Sequence, residues 1–128
     1  MIKLPYKNLK IWEKGMALVK LIYQLTKKFP KEEIYGLTSQ IRRSGISIPS
    51  NIAEGSQRGS DKDFANFILI AKGSLAELET QIILAEDFNY IQNNELEEAL
   101  NKTDELDKML LAFHKKLTAP RSSLTAKI

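Results

Sequence analysis

A chain of 128 residues with a formal charge of +3 fits one domain, long enough to bury about two-thirds of its unfolded surface around a single core. It has no cysteine and one histidine, His114, which excludes disulfides, thiolate zinc sites, cysteine nucleophiles and histidine-rich metal centres. The modest total charge hides an asymmetry: residues 1–43 carry +7, 44–60 are neutral, 61–107 carry −9 and 108–128 carry +5, so one domain must present surfaces of opposite sign.

The segment MIKLPYKNLKIWEKG has no apolar core of signal-peptide length, and apolar runs no longer than Phe67 to Ala71 are too short to cross a bilayer. A cytoplasmic protein with no membrane association is expected. Leu9, Trp12, Met16, Val19, Tyr23 and Thr26 recur at helical spacing, joined by a second stripe of Ile11, Leu18, Ile22 and Leu25, and predict a first helix over about 8–28 that Pro30 stops. Lys31 to Tyr35 form the connection. Leu37, Ile41, Ile48 and Ile52 mark the core face of a second helix over 36–56, with Gly55 and Gly59 as its terminators.

Ser60 with Asp63 reads as a capping box that opens a third helix over 61–88. Its seam, Phe64, Ile68, Ala71, Leu75, Leu78, Ile82 and Ala85, alternates by four and three, as in helices packed lengthwise at a shallow angle. Asn94 with Glu97 repeats the cap logic for a fourth helix over 95–117, whose seam is Leu96, Ala99, Thr103, Leu106, Leu110, Phe113 and Leu117. Residues 118–128 lack an apolar period and read as a flexible tail. Short connections leave no room for a crossover. The expected fold is therefore all-α, an antiparallel up-down-up-down four-helix bundle over 1–117.

The second helix is unusual. Pro49 cannot donate to the carbonyl of Gly45 and its ring crowds that carbonyl, a defect worth about 3 kcal/mol in a regular helix. Burial of Ile41, Ile48 and Ile52 returns roughly 1.5–3 kcal/mol each, so one proline-kinked helix is expected rather than two helices and a loop. Gln40, Ser44, Ser47, Asn51, Glu54 and Arg58 are spaced by four, three, four, three and four along the same helix. Such a stripe is either a solvated face or a close contact in which small side chains admit another backbone and the amide and charged groups bond across the junction.

YGLTSQIRRSGISIPSNIAEGSQR at Tyr35 to Arg58, followed by KGSLAELETQIILA at Lys72 to Ala85, closely resembles the four-helix bundle proteins encoded in intervening sequences of bacterial 23S rRNA genes. A related branch is the accessory variability protein of diversity-generating retroelements. Arg42, Arg43, Ser47, Pro49, Asn51, Ile52, Ala53, Glu54 and Gly55 match the family pattern in the second helix, and Leu75, Glu77, Leu78, Glu79 and Gln81 match it in the third. The resemblance covers roughly residues 5–117. It implies a homopentameric barrel of bundles, no established enzymatic activity and, in the retroelement branch, a basic surface that engages a reverse transcriptase and RNA.

Two functions follow as expectations. In the first, Lys3, Lys7, Lys10, Lys14, Arg58, Lys62, Lys115, Lys116 and Arg121 gather at one end of the bundle and contact the phosphates of RNA, or a nucleic-acid enzyme, with marked salt dependence and no base stacking. In the alternative, the protein is a structural or protein-binding oligomer with no nucleic-acid partner, with Gln40, Arg42, Arg43, Ser44, Ser47, Asn51, Glu54, Glu77 and Glu79 as candidate helix or subunit contacts and Leu21, Leu69 and Ile83 as exposed interface residues. Catalysis is not expected. Glu77 and Glu79 point to different sides of a helix, a di-iron site needs histidines on two helices, and Gly55 to Ser60 lacks the lysine and spacing of a phosphate loop. No cofactor, metal or small-molecule substrate is implied.

Overall fold

The structure, a computed structural model, describes residues 5–120. Lys3, Arg121 and most of the expected tail lie outside them. Among the described residues there are four α-helices and no strand: α1, Lys10–Thr26; α2, Leu37–Ser56; α3, Asp61–Asp87; and α4, Asn93–Thr118.

The first helix begins later than its apolar period suggests, because Pro5–Asn8 forms a separate 3₁₀ turn against which α1 is set. Two apolar stripes competed for the core. Ile11, Leu18, Ile22 and Leu25 are buried, while Trp12, Met16, Val19 and Tyr23 are half-buried, and the first three of these wall a groove beside α2. Thr26, from the same stripe as Trp12 and Tyr23, is buried too, and its Oγ1 donates to the carbonyl of Ile22 at 2.8 Å.

Lys31–Glu33 forms a 3₁₀ turn after Pro30. α2 starts at a glycine that has no side chain to cap with, and Glu33 supplies the missing acceptor: its Oε1 takes the Leu37 amide at 3.1 Å. α2 then runs unbroken through Pro49. The proline ring is buried against α1, where a Cβ on Gly15 would stand 3.4 Å from Pro49 Cβ, so the absent side chain makes room for the ring. Ile41, Ile48 and Ile52, each at most 1% exposed, anchor the helix on both sides of it. Gly45 touches Ile22 of α1 at an ordinary distance, 3.9 Å from an added Cβ.

Gly55 lies in the last turn of α2 and does not terminate it. An added Cβ would fall 2.6 Å from Phe67 Cβ and 2.9 Å from Phe64 Cδ1, so this glycine is a point of close approach between α2 and α3. Ser60 Oγ accepts the Asp63 amide at 3.1 Å and caps α3 as its sequence suggests. α3 closes in a Schellman arrangement: the Tyr90 amide reaches Ala85, the Asn89 amide reaches Glu86, both at 2.9 Å, and Asn89 takes a left-handed φ of 63°.

The cap of α4 is displaced from the expected Asn94 and Glu97. Glu95 Oε1 accepts the Gln92 amide at 2.9 Å, and the helix starts at Asn93. Glutamine standing where serine, threonine, aspartate or asparagine is usual hid this start.

The predicted seams of α3 and α4 do form the core. Ile68, Ala71, Leu75, Leu78, Ile82, Ala85, Ala99, Thr103, Leu106 and Leu110 are all at most 1% exposed. Contacts between sequential helices descend on one helix as they climb on the other. Ser44 meets Gln81, Ser47 meets Ser74, Thr103 meets Glu79, and Lys72 meets Asp107. Phe64 meets Phe113 with ring centres 5.2 Å apart. α1 and α4 are tied by exposed ion pairs, Lys14 with Glu105 at 2.9 Å and Lys28 with Glu95. The start of α1, the end of α2, the start of α3 and the end of α4 thus share one end of the bundle.

Candidate functional site

Three surfaces carry the residues singled out in the sequence. The first is the α2–α3 junction. Ser44 Oγ donates to Gln81 Oε1 at 2.9 Å and Ser47 Oγ bonds Ser74 Oγ at 2.8 Å, so the small residues of the α2 stripe face α3. The outer members of the stripe do not cross the junction. Asn51 Nδ2 turns back onto the Ser47 carbonyl and hydroxyl at 2.8 and 2.9 Å, Arg58 pairs with Glu54 at 2.6 Å, and Gln40 is exposed. Arg58 does reach α3 by its flat face, with its guanidinium carbon 4.8 Å from the centre of the Phe67 ring.

Arg42 and Arg43 part company. Arg42 stacks on Tyr23 at 4.4 Å and donates from Nε to Thr26 Oγ1 at 2.9 Å, which ties α2 to α1. Arg43 is exposed at the rim of a shallow groove that it shares with Glu77. Glu79 accepts from the buried hydroxyl of Thr103 at 2.8 Å and so belongs to the α3–α4 packing. This bond pairs the only polar position in the α4 seam, a partnership that periodicity alone could not reveal.

The second surface is the basic end. Lys10 pairs with Glu13 at 3.6 Å, Lys14 with Glu105 and Arg58 with Glu54, which leaves Lys7, Lys62, Lys115 and Lys116 exposed and outside any ion pair among the described residues. Beside them Asn8, Leu9, Ile11, Met109 and Phe113 line an apolar hollow flanked by Lys10 and Lys116. Lys14 holds the Glu105 carboxyl below its ordinary range, first by a hydrogen bond and then by its charge.

At the opposite end Glu33 joins the two connections: while Oε1 caps α2, Oε2 accepts from the Tyr90 hydroxyl at 2.7 Å. Those two bonds, Tyr90 first and the Leu37 amide second, hold the Glu33 carboxyl below the usual carboxylate range, and the same contact pushes the Tyr90 hydroxyl up. The Gln92 amide and then Lys28 do likewise for Glu95.

The third surface is the outer face of α3. Between Asp63 and Asp87 its exposed residues are Asn66, Leu69, Ile70, Gly73, Ala76, Glu77, Thr80, Ile83 and Leu84. Four are large and apolar and one is charged. α3 is thus apolar on two opposite sides. The sequence pointed to Leu69 and Ile83 but not to Ile70 and Leu84, which merge with the core positions in one apolar run; Leu21, the other expected interface residue, packs half-buried against the core.

Among the described residues, no group of three or more histidine, cysteine, aspartate or glutamate side chains could hold a metal ion. No helix among the described residues is long and apolar enough to cross a membrane.

This arrangement coincides with a known family. The family model described as the 23S rRNA-intervening sequence protein matches residues 7–112, most of the chain. The chain belongs to this family. A solved crystal structure, described as a protein with unknown function of the S23 ribosomal protein family from Bacteroides thetaiotaomicron, is similar at 30% sequence identity and a TM-score of 0.76, covering 82% of this chain and 98% of that one. No curated protein matches. For the 23S rRNA-intervening sequence protein family, the matched span takes in the whole α2–α3 junction, including Pro49, Gly55 and the Ser47–Ser74 contact.

Proposed function

We propose that this protein works without catalytic chemistry, as a homo-oligomer in the cytoplasm whose assembly gathers basic ends for contact with RNA or with an enzyme that handles RNA. The observation that carries the reading is the outer face of α3. Leu69, Ile70, Ile83 and Leu84 are 39–50% exposed on one helix side that the chain's own fold leaves uncovered. Large apolar side chains at both ends of one helix side, with small residues and a single charge between them, are the ordinary mark of an interface. Five copies is the number that the family resemblance supports.

Assembly would multiply the lysines that have no carboxylate partner. Each copy contributes Lys7, Lys62, Lys115 and Lys116 to one end, and a ring of such ends suits a phosphate backbone rather than a base sequence. Light-scattering mass joined to RNA mobility shifts at two salt concentrations tests both parts. The expected result is a mass five times that of one chain and RNA binding that weakens steeply as salt rises. A monomer refutes the reading as a whole. An oligomer indifferent to RNA at low salt leaves the second reading, a structural oligomer without a nucleic-acid partner, which the uncovered α3 face favours equally.

A further inference from the structure

The uncovered face of α3 has a counterpart elsewhere on the molecule. Trp12, Met16 and Val19 of α1 and Ile46, Pro49 and Ala53 of α2 wall a groove of about 310 Å³ that has no charged lining residue. We infer that the α3 ridge of one copy seats in the α1–α2 groove of the next, a head-to-tail contact between two different patches. This inference rests on the self-association proposed above and names its two surfaces.

Three observations argue for it. The first is charge. Glu77 is the one charged residue among the exposed ridge residues between Asp63 and Asp87, since Lys72 is half-buried and held by Asp107 of α4, so neither of two ridges packed on each other would supply a cation to the other's carboxylate. The groove instead has exposed Lys20 beside Val19, and acidic then meets basic.

The second is Gly73. A Cβ built there meets nothing within 4 Å in its own chain, so the fold of one copy gives no reason for glycine at mid-helix, a position it weakens. A neighbour's helices lying close across Gly73 and Ala76 give one. The third is topology. Ridge and groove are different patches of the bundle, and a contact between unlike patches propagates from copy to copy, closing into a ring where its rotation closes, as a two-fold contact cannot.

The test uses the full chain and complementary variants. Leu84→Glu spoils the ridge and Ile46→Glu the groove; both positions are exposed, so each variant should keep its helical circular dichroism and fold. Each alone should weaken association at least about tenfold and run as a monomer by light scattering. Mixed in equal amounts, they should form a one-to-one dimer through the single intact ridge and intact groove, and stop there.

Gly73→Leu, placed where the chain itself has open space, should likewise fold and lose association. If the parent protein is oligomeric and Ile46→Glu keeps the parent mass, or the mixture of folded variants stays monomeric, the head-to-tail contact is wrong while self-association stands. A monomeric parent removes both. Should either glutamate variant fail to fold, the gentler Leu84→Ser and Ile46→Ser take its place with the same expected masses.

Discussion

Replacing Gly55 by alanine should destabilise the protein, although alanine is the better helix former. The added Cβ would sit 2.6 Å from Phe67 Cβ and 2.9 Å from Phe64 Cδ1. Carbon atoms rest at about 3.5–4.0 Å, so the gap must open by roughly 1 Å. Phe64 can swing its ring, but Phe67 Cβ is fixed to the α3 backbone, and relief there requires α3 itself to move off α2. Overpacking of this kind costs about 1–3 kcal/mol, against a gain of about 0.5–1 kcal/mol from removing a helical glycine. The net loss is about 1–2 kcal/mol, or roughly 4–8 °C in thermal midpoint for a domain of this size. Urea unfolding followed by circular dichroism, at one protein concentration so that any association is held constant, reads the difference. Gly59→Ala is the control, because a Cβ there meets nothing within 4 Å and no glycine has positive φ; it should be neutral or slightly stabilising. A Gly55→Ala protein as stable as its parent would refute the close-approach reading and return Gly55 to a helix terminator.

Thr103→Val should lower stability by about 1 kcal/mol, since the valine methyl fills the site but leaves Glu79 without the buried hydroxyl that donates to it; Thr103→Ser, which keeps the donor, should recover part of the loss in the same urea assay. Glu33→Gln should cost most at neutral pH. The native carboxyl titrates below its free value of 4.5, so its contribution is fully present above that pH and fades as pH falls through the lowered native value, where parent and variant midpoints should converge. Equal sensitivity at every pH would mean that the charge is not what Tyr90 and the Leu37 amide recognise. Amide exchange should show protection continuing on both sides of Pro49, because α2 is one helix across it; several unprotected residues there would contradict that continuity.

Much of this fold was legible because the signals were redundant. The α3 seam repeats by four and three over its whole length, and Ser60 caps it with the residue type the geometry prefers. Where one residue can play two parts, the sequence was ambiguous. Trp12, Met16 and Val19 are as apolar as Ile11 and Leu18, and only the position of α2 decides which set is core and which walls a groove. Gly55 ends a helix or admits a neighbour, and the choice depends on Phe64 and Phe67 far along the chain. The polar stripe of α2 gave its direction but not its partners. Ser44 and Ser47 cross to α3, whereas Asn51 finds a carbonyl one turn back, a local competition that spacing cannot resolve. The candidate basic end was visible as composition, but three of its cations proved to be paired: Lys10 and Arg58 with carboxylates one turn away along the chain, and Lys14 with Glu105, which only packing brings near.

An uninterrupted four-three seam has a weakness of its own. Slide one such helix past its neighbour by a turn, about 5.4 Å, and apolar residues still meet apolar residues, so greasy packing alone would tolerate several alignments. The Glu79 carboxylate that takes the buried Thr103 hydroxyl has no substitute one turn away along α3. A slipped alignment would give up that hydrogen bond to a charged group, about 1.5–3 kcal/mol, and leave the hydroxyl only the Leu100 carbonyl of its own helix at 3.0 Å. The single polar residue in the α4 seam therefore does less to hold the bundle together than to make one alignment of α3 and α4 better than all the others.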